Sequence, residues 1–231
     1  MSKLTTILWD VDGTLIDFEA TEKIAVNACL SKHSISISDA QFVAYRKINS
    51  TYWERFANGE IDKNVLYPGR FDDFFAMLGV TSVSGETFNQ DYQQELGRTI
   101  VLQDYALELC NLLKGRYKQY VVTNGSAAAQ KGKLHNSGFN KLMDGIFISE
   151  QMGTAKPDKK FFELCSETIP DYCPETTMII GDSLTCDMHG GNNAGIACCW
   201  FNPKKLTVPS DIRVDYNIAS LRELDALLLG K

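Results

Sequence analysis

Thr6-Ile7-Leu8-Trp9-Asp10-Val11-Asp12-Gly13-Thr14 decides how the rest of the chain is read. Its first half is short and apolar, as a buried parallel strand requires, and residues 6–11 are taken as one strand. Its second half turns at Gly13 and leaves two carboxylates two residues apart at the strand end, where both can face one pocket. Like charges this close repel, so the pair calls for a cation. An oxygen-rich cluster without histidine suits magnesium (Mg2+). Alone, the stretch also fits an ordinary surface turn.

Working outward, residues 119–123, 145–149, 176–181 and 196–201 have the same strand character, and 214–218 ends the series. Helical patterns at 126–136, 157–168 and 184–193 separate the later strands. Alternation of this kind implies an α/β fold with right-handed crossovers. Residues 17–98 differ, having no strand pattern and apolar residues at helical spacing. Ser38-Asp39-Ala40-Gln41 reads as a capping box, followed by Phe42, Tyr45, Ile48 and Tyr52. The expected organisation is therefore a three-layer Rossmann-like core with a central parallel sheet, formed by residues 1–16 and 99–231. An all-helical cap, 17–98, is inserted after the first strand. Ligands of open parallel sheets bind beyond the carboxyl ends of the strands, so this insert would sit over the site as a lid.

Composition narrows the function. The 231 residues suffice for one core with a smaller insert. A formal net charge of −6 argues against a nucleic-acid partner. No apolar run approaches the roughly 20 residues that span a bilayer, and Met1 to Leu4 lead into the first strand without a signal-peptide pattern. Seven cysteines are an odd number without C-x-x-C pairing, and Cys198 and Cys199 are adjacent. These thiols read as small apolar residues of a reducing, cytoplasmic protein.

The strand ends carry the chemistry. After Asp10 and Asp12, the second strand ends in Thr123-Asn124-Gly125 before Ser126 opens a helix; a hydroxyl and free N–H groups there suit an anion. A plain strand-to-helix turn with Ser126 as N-cap is the alternative. Lys156 precedes Pro157, which suits the first helical position, and a pre-proline residue is held extended. Asp182 ends the fourth strand in Gly181-Asp182-Ser183. Asp187 follows about one turn into a helix, leaning back toward the strand end. Each signal is weak alone; their order along the chain gives them weight.

Together these elements resemble the haloacid dehalogenase superfamily, in which DxDGT, a strand ending in threonine, Lys-Pro and GDSxxxD occur in this order. The resemblance spans almost the whole chain. It implies a phosphatase in which Asp10 is the covalent nucleophile and Asp12 the general acid and base. Thr123, Asn124 and Lys156 would neutralise the phosphoryl oxygens. Magnesium would be held by Asp10, the main-chain carbonyl of Asp12, and Asp182, with Asp187 near the metal. The family's dehalogenases lack the second aspartate, so Asp12 favours phosphoryl chemistry. The roughly thirty residues between Thr123 and Lys156 hold one helix, one strand and their loops, leaving no room for a second type of cap.

Within the insert, Trp53, Phe56, Asn58-Gly59 and Gly69-Arg70-Phe71 resemble the C1-type cap of house-cleaning pyrimidine 5′-nucleotidases, as does Trp200-Phe201-Asn202. The substrate implied is a small phosphorylated metabolite, a nucleoside 5′-monophosphate. A phosphatase or mutase of another small ester, such as a sugar phosphate or phosphoglycolate, is the alternative. A non-catalytic phosphate- or partner-binding protein is the alternative of another class. A base could stack on Tyr52, Trp53 or Phe71, although aromatics at this spacing more often form core. Arg46, Arg55 and Arg70 are each expected to face water. Gly125 to Lys133 is no P-loop, having six residues between its glycines and Leu134 after the lysine. Gly190 to Gly195 follows a helix and reads as its C-cap. Monomer and homodimer are equally compatible with the sequence.

Overall fold

The computed structural model describes residues 4–230; the ends of the expected core, residues 1–3 and 231, lie outside them. Six strands are seen in the described residues: β1 (Thr6–Trp9), β2 (Lys118–Thr123), β3 (Gly145–Ile148), β4 (Thr177–Gly181), β5 (Ala197–Phe201) and β6 (Tyr216–Ile218). They form one parallel sheet in the order β3-β2-β1-β4-β5-β6. β1 is fully buried and central, with Trp9 in register between Val121 of β2 and Ile180 of β4. Successive crossovers leave β1 in opposite directions, so the crevice beyond its carboxyl end is the switch point of the sheet.

The helices are α1 (Phe18–Lys32), α2 (Asp39–Ala57), α3 (Lys63–Leu78), α4 (Gly85–Arg98), α5 (Ala106–Leu113), α6 (Ala127–Ser137), α7 (Ser149–Met152), α8 (Lys159–Thr168) and α9 (His189–Ala194). One face of the sheet buries Ile7, Trp9, Val121 and Ile180 with Leu109 and Leu113 of α5 and Leu134 of α6. The other buries Leu8, Val122 and Ile179 with Phe161 and Phe162 of α8. The three-layer α/β arrangement expected from the alternating pattern is therefore present.

Helices α1 to α4 enclose a third apolar cluster, centred on Tyr45, Phe71, Phe74, Phe88 and Tyr92. Tyr45 and Phe71 stack with ring centroids 5.6 Å apart. Asp17, Ser38, Asp62 and Ser84 cap the four helices, each accepting a main-chain N–H of the first turn, and Ser38 with Gln41 completes both halves of the capping box. The two connections to the sheet run side by side. Asp17 donates its N–H to the Val101 carbonyl at 2.9 Å, and Gln103 donates to Leu15 at 3.1 Å.

Several local expectations are corrected. β1 ends at Trp9 and β6 begins at Tyr216, both shorter than expected. Pro157 is not the first residue of α8, which starts at Lys159 behind Asp158 as N-cap; the Lys156–Pro157 peptide is cis. Residues 184–188 form a wide π-type turn before α9. The capping box at Ser220 opens only short turns, Leu221–Glu223 and Asp225–Leu229, rather than one continuous helix. Arg70 does not face water: it is buried among Phe71, Tyr92 and Tyr67, and donates to Asn49 and Asn89 at 2.9 Å each.

Candidate active site

Asp10 leaves β1 with its N–H donated to the Ile180 carbonyl at 2.9 Å, an extension of the β1–β4 pairing that sets the carboxylate at the centre of the crevice. The chain then turns at Gly13, whose φ of 98° suits glycine, and where a Cβ would lie 2.3 Å from Asp182. Asp182, one residue beyond β4, is thereby brought against the turn after β1. Asp187, carried back by the π-type turn, completes a group in which one carboxylate oxygen each from Asp10, Asp182 and Asp187 lie within 4.8 Å of one another.

Lys156 reaches this group from the loop before α8. Its Nζ donates to Asp10 at 2.8 Å, to Asp187 at 2.6 Å and to the Val122 carbonyl at 2.8 Å. Burial alone would lower its pKa; the charges of Asp10 and Asp187 outweigh that and hold the ammonium well above its usual range. The second oxygen of Asp187 accepts the Ser183 N–H at 3.0 Å.

Three carboxylates against one ammonium leave the crevice short of positive charge. Burial, opposed by Lys156 and reinforced by Asp187, raises Asp10 to about 7. Asp182 is open to the cavity yet deep in the cleft, and desolvation with the charges of Asp10 and Asp187 raises it well above the carboxylate range. An all-oxygen cluster with this deficit fits a hard divalent cation, whose charge would return the carboxylates to their ionised form.

The expected phosphate cradle lies beside the carboxylates. Thr123 is buried at the end of β2 and its Oγ1 accepts the Gly125 N–H at 3.1 Å. Ser126 caps α6 through the Ala129 N–H at 3.1 Å. Asn124 has a further part that sequence reasoning missed. Its amide brackets the Lys156 main chain, donating to the carbonyl at 2.7 Å and accepting the N–H at 3.0 Å. Nothing local joins two residues 32 positions apart.

Asp12 stands apart from the three-carboxylate group. Its oxygens accept from Gln130 Nε2 at 2.6 Å and from Lys133 Nζ at 2.5 Å. Both donors lie in the segment that fails as a P-loop. Their spacing of three on α6 is the only local sign that they share a face.

Asp10, Asp12, Thr123, Asn124, Lys156, Asp182 and Asp187 all line one cavity of about 390 Å³, whose opposite wall comes from the helical layer. Trp53, Phe56 and Tyr67 line that wall; Trp53 meets Phe56 edge-on at 5.8 Å and Tyr67 at 6.5 Å. Tyr52 instead donates its hydroxyl to Asp73 at 2.8 Å, and Phe71 is core. Lys63 of α3 crosses to the sheet side, donating to the Asn124 carbonyl at 2.7 Å and to Ser149 at 3.1 Å, beside Glu150. Tyr67 donates to the same Glu150 carboxylate. None of these bridges was legible in the sequence.

Residues 4–195 match the haloacid dehalogenase-like hydrolase family. The HAD-hydrolase YfnB of Bacillus subtilis is 34% identical over 99% of this chain and 97% of its own. Its magnesium-bound crystal structure, described as revealing interdomain movement, superimposes with a TM-score of 0.92, covering 98% of this chain and 99% of that one. The pyrimidine 5′-nucleotidase PynA of Streptococcus pneumoniae is 35% identical over 94% of this chain and 92% of its own. YjjG of Escherichia coli, also a pyrimidine 5′-nucleotidase, is 29% identical over 96% of each chain. With its strand-end motifs gathered in one crevice and a family match over most of its length, this chain belongs to the haloacid dehalogenase-like hydrolases.

Proposed function

We propose that this protein is a magnesium-dependent phosphomonoesterase acting on nucleoside 5′-monophosphates through a phosphoaspartyl intermediate at Asp10. One observation carries the reading: the Asp10–Lys156 pair and the aromatic wall of Trp53, Phe56 and Tyr67 share a single cavity. A phosphate at the first and a base against the second use both ends of that space. Relatives named as pyrimidine 5′-nucleotidases support the substrate class.

Asp10 and Asp182, with the main-chain carbonyl of Asp12, would hold the magnesium, and Asp187 would stand behind them. When bound, it supplies positive charge that keeps Asp10 ionised and offsets the phosphoryl oxygens. The Asp10 carboxylate attacks phosphorus, and the bond to the ester oxygen breaks as that oxygen takes the proton of the Asp12 carboxyl. The Thr123 hydroxyl, the Asn124 N–H and the Lys156 ammonium stabilise the charge on the remaining phosphoryl oxygens. The Asp12 carboxylate then takes a proton from water as its oxygen attacks phosphorus. The bond to Asp10 breaks, freeing phosphate and restoring both aspartates.

Residues 17–98 act as a lid on the core formed by 1–16 and 99–231. The adjacent connections at Asp17–Val101 and Leu15–Gln103 would serve as its hinge, and Lys63 as a latch. The test is a substrate panel of nucleoside 5′-monophosphates, sugar phosphates and short phospho-acids, with and without magnesium and with Asp10→Asn as control. Magnesium-dependent phosphate release from nucleotides, lost in Asp10→Asn, is expected. Turnover of only sugar phosphates or phosphoglycolate would overturn the substrate class. Turnover by Asp10→Asn would overturn the mechanism.

A further inference from the structure

Lys133 and Gln130 are 0% exposed, although neither belongs to the apolar core. A lysine withdrawn from water is costly unless its ammonium is paired, and its ion-pair partner is Asp12, whose side chain is 23% exposed. The Lys133 ammonium also lies 5.0 Å from the centre of the Phe18 ring, which lines the same cavity. Gln130 reaches Asp12 past Gly125, where a Cβ would lie 2.2 Å from Gln130 Nε2. The other end of that amide, Oε1, is buried without a hydrogen-bond partner among the described residues. An orphaned acceptor is unfavourable, so the contact with Asp12 is what orients this side chain. Two buried polar side chains are thus committed to one carboxylate.

We propose that Lys133 and Gln130 are positioning residues that hold the Asp12 carboxyl in its proton-transferring orientation. The inference rests on Asp12 being the acid and base of the proposed reaction. A carboxylate oxygen has two lone pairs, and the two donors take one on each oxygen. They fix the plane of the group and leave one lone pair per oxygen for the reacting proton. Both donors stand on α6, whose first turn follows the Thr123–Asn124–Gly125 loop. One rigid helix therefore sets the proton donor relative to the phosphate cradle. Misplacement of a reacting group by about 1 Å costs on the order of 10²-fold in rate.

The experiment compares two leaving groups in the presence of magnesium. A nucleoside alkoxide must be protonated as it leaves, whereas p-nitrophenolate leaves without a proton. In Lys133→Met, single-turnover cleavage of uridine 5′-monophosphate is expected to slow about 10²-fold. Release of the first p-nitrophenolate from p-nitrophenyl phosphate is expected to be unchanged. Attack of water still needs Asp12, so later turnovers slow and a burst of one p-nitrophenolate per chain appears. A merely structural loss would shrink the burst amplitude and slow both substrates alike. Thermal unfolding followed by circular dichroism checks that the variant is folded; should it not fold, Gln130→Leu, which keeps the lysine, carries the same comparison. Equal slowing of both substrates, or no slowing in either variant, overturns the proposal. Asp12→Asn is the reference: if it shows the burst and both α6 variants do not, positioning alone fails. If Asp12→Asn shows no dependence on leaving group, the acid–base reading fails and the inference falls with it.

Discussion

Lys156 donates to Asp10 at 2.8 Å across 146 positions of sequence, and the pair is almost closed to water. The same ammonium holds Asp187, so one lysine balances carboxylates from two strand ends. Lys156→Met removes the protein's own positive charge from the three-carboxylate group. A fall in kcat of about 10²–10³-fold is expected, the scale for loss of one charge-stabilising donor. Breaking a buried pair from one side also costs ~3–5 kcal/mol. Steady-state kinetics and urea unfolding measure the two effects; near-native kcat would remove Lys156 from the phosphate site.

The proposed metal site predicts that stability depends on magnesium. Magnesium held as proposed would bind only the folded arrangement of Asp10 and Asp182, so the melting temperature should rise with its concentration. Linkage gives ~2.7 kcal/mol at a hundred times the Kd. In Asp182→Asn the rise should be largely lost. A magnesium series with identical melting curves for the unsubstituted protein would refute the site.

Trp53 tests the aromatic wall. Stacking of a base on an aromatic ring is worth ~1–3 kcal/mol, so Trp53→Ala should raise KM for nucleotides roughly tenfold or more. Inhibition by inorganic phosphate, which does not reach the wall, should be unaffected. If phosphate binding weakens equally, Trp53 acts through the fold and not through the base.

Lys63 links the helical layer to the loop after β2, and it is largely buried there, which lowers its pKa. Lys63→Met should loosen the proposed lid. The radius of gyration from small-angle scattering should increase, and KM should rise more than kcat falls. An unchanged scattering profile together with unchanged KM would show that these bonds do not govern closure.

Glu22 gives the helical layer a pH signature. It accepts from Asn49 at 2.8 Å and from Tyr45 at 3.2 Å, yet burial outweighs these donors and nearby Arg70 and raises its pKa above the usual 4.5. A carboxyl raised in the folded state contributes most stability below its unfolded pKa. That contribution is lost as pH climbs through the folded value. Glu22→Gln, which cannot titrate, should therefore gain stability relative to the unsubstituted protein as pH rises above the usual glutamate value of 4.5. Urea unfolding across that range checks this, and parallel curves would contradict it.

The sheet and the strand-end groups were legible because their signals are local. Apolar runs of strand length, separated by helical periodicity, announce a parallel sheet. A carboxylate, threonine or lysine just past such a run must emerge at the sheet's carboxyl edge. Those rules bring Asp10, Asp12, Thr123, Asn124, Lys156, Asp182 and Asp187 to one edge of the sheet, and all seven line one cavity. They failed where a helix boundary rests on a balance of small terms, as at Pro157 and after Ser220.

By itself, then, the sequence determined the layer order and which chemistry-bearing residues face the crevice, since both follow from backbone periodicity. Tertiary structure alone decided how those residues pair. Lys133 meets Asp12 across 121 positions, and Arg70 turns inward onto Phe71 and Tyr92. Helical spacing tells which side chains share a face but not what that face meets. For a charged residue the partner decides between burial and solvent, because an ammonium or guanidinium enters the interior only where a counter-charge or ring awaits it.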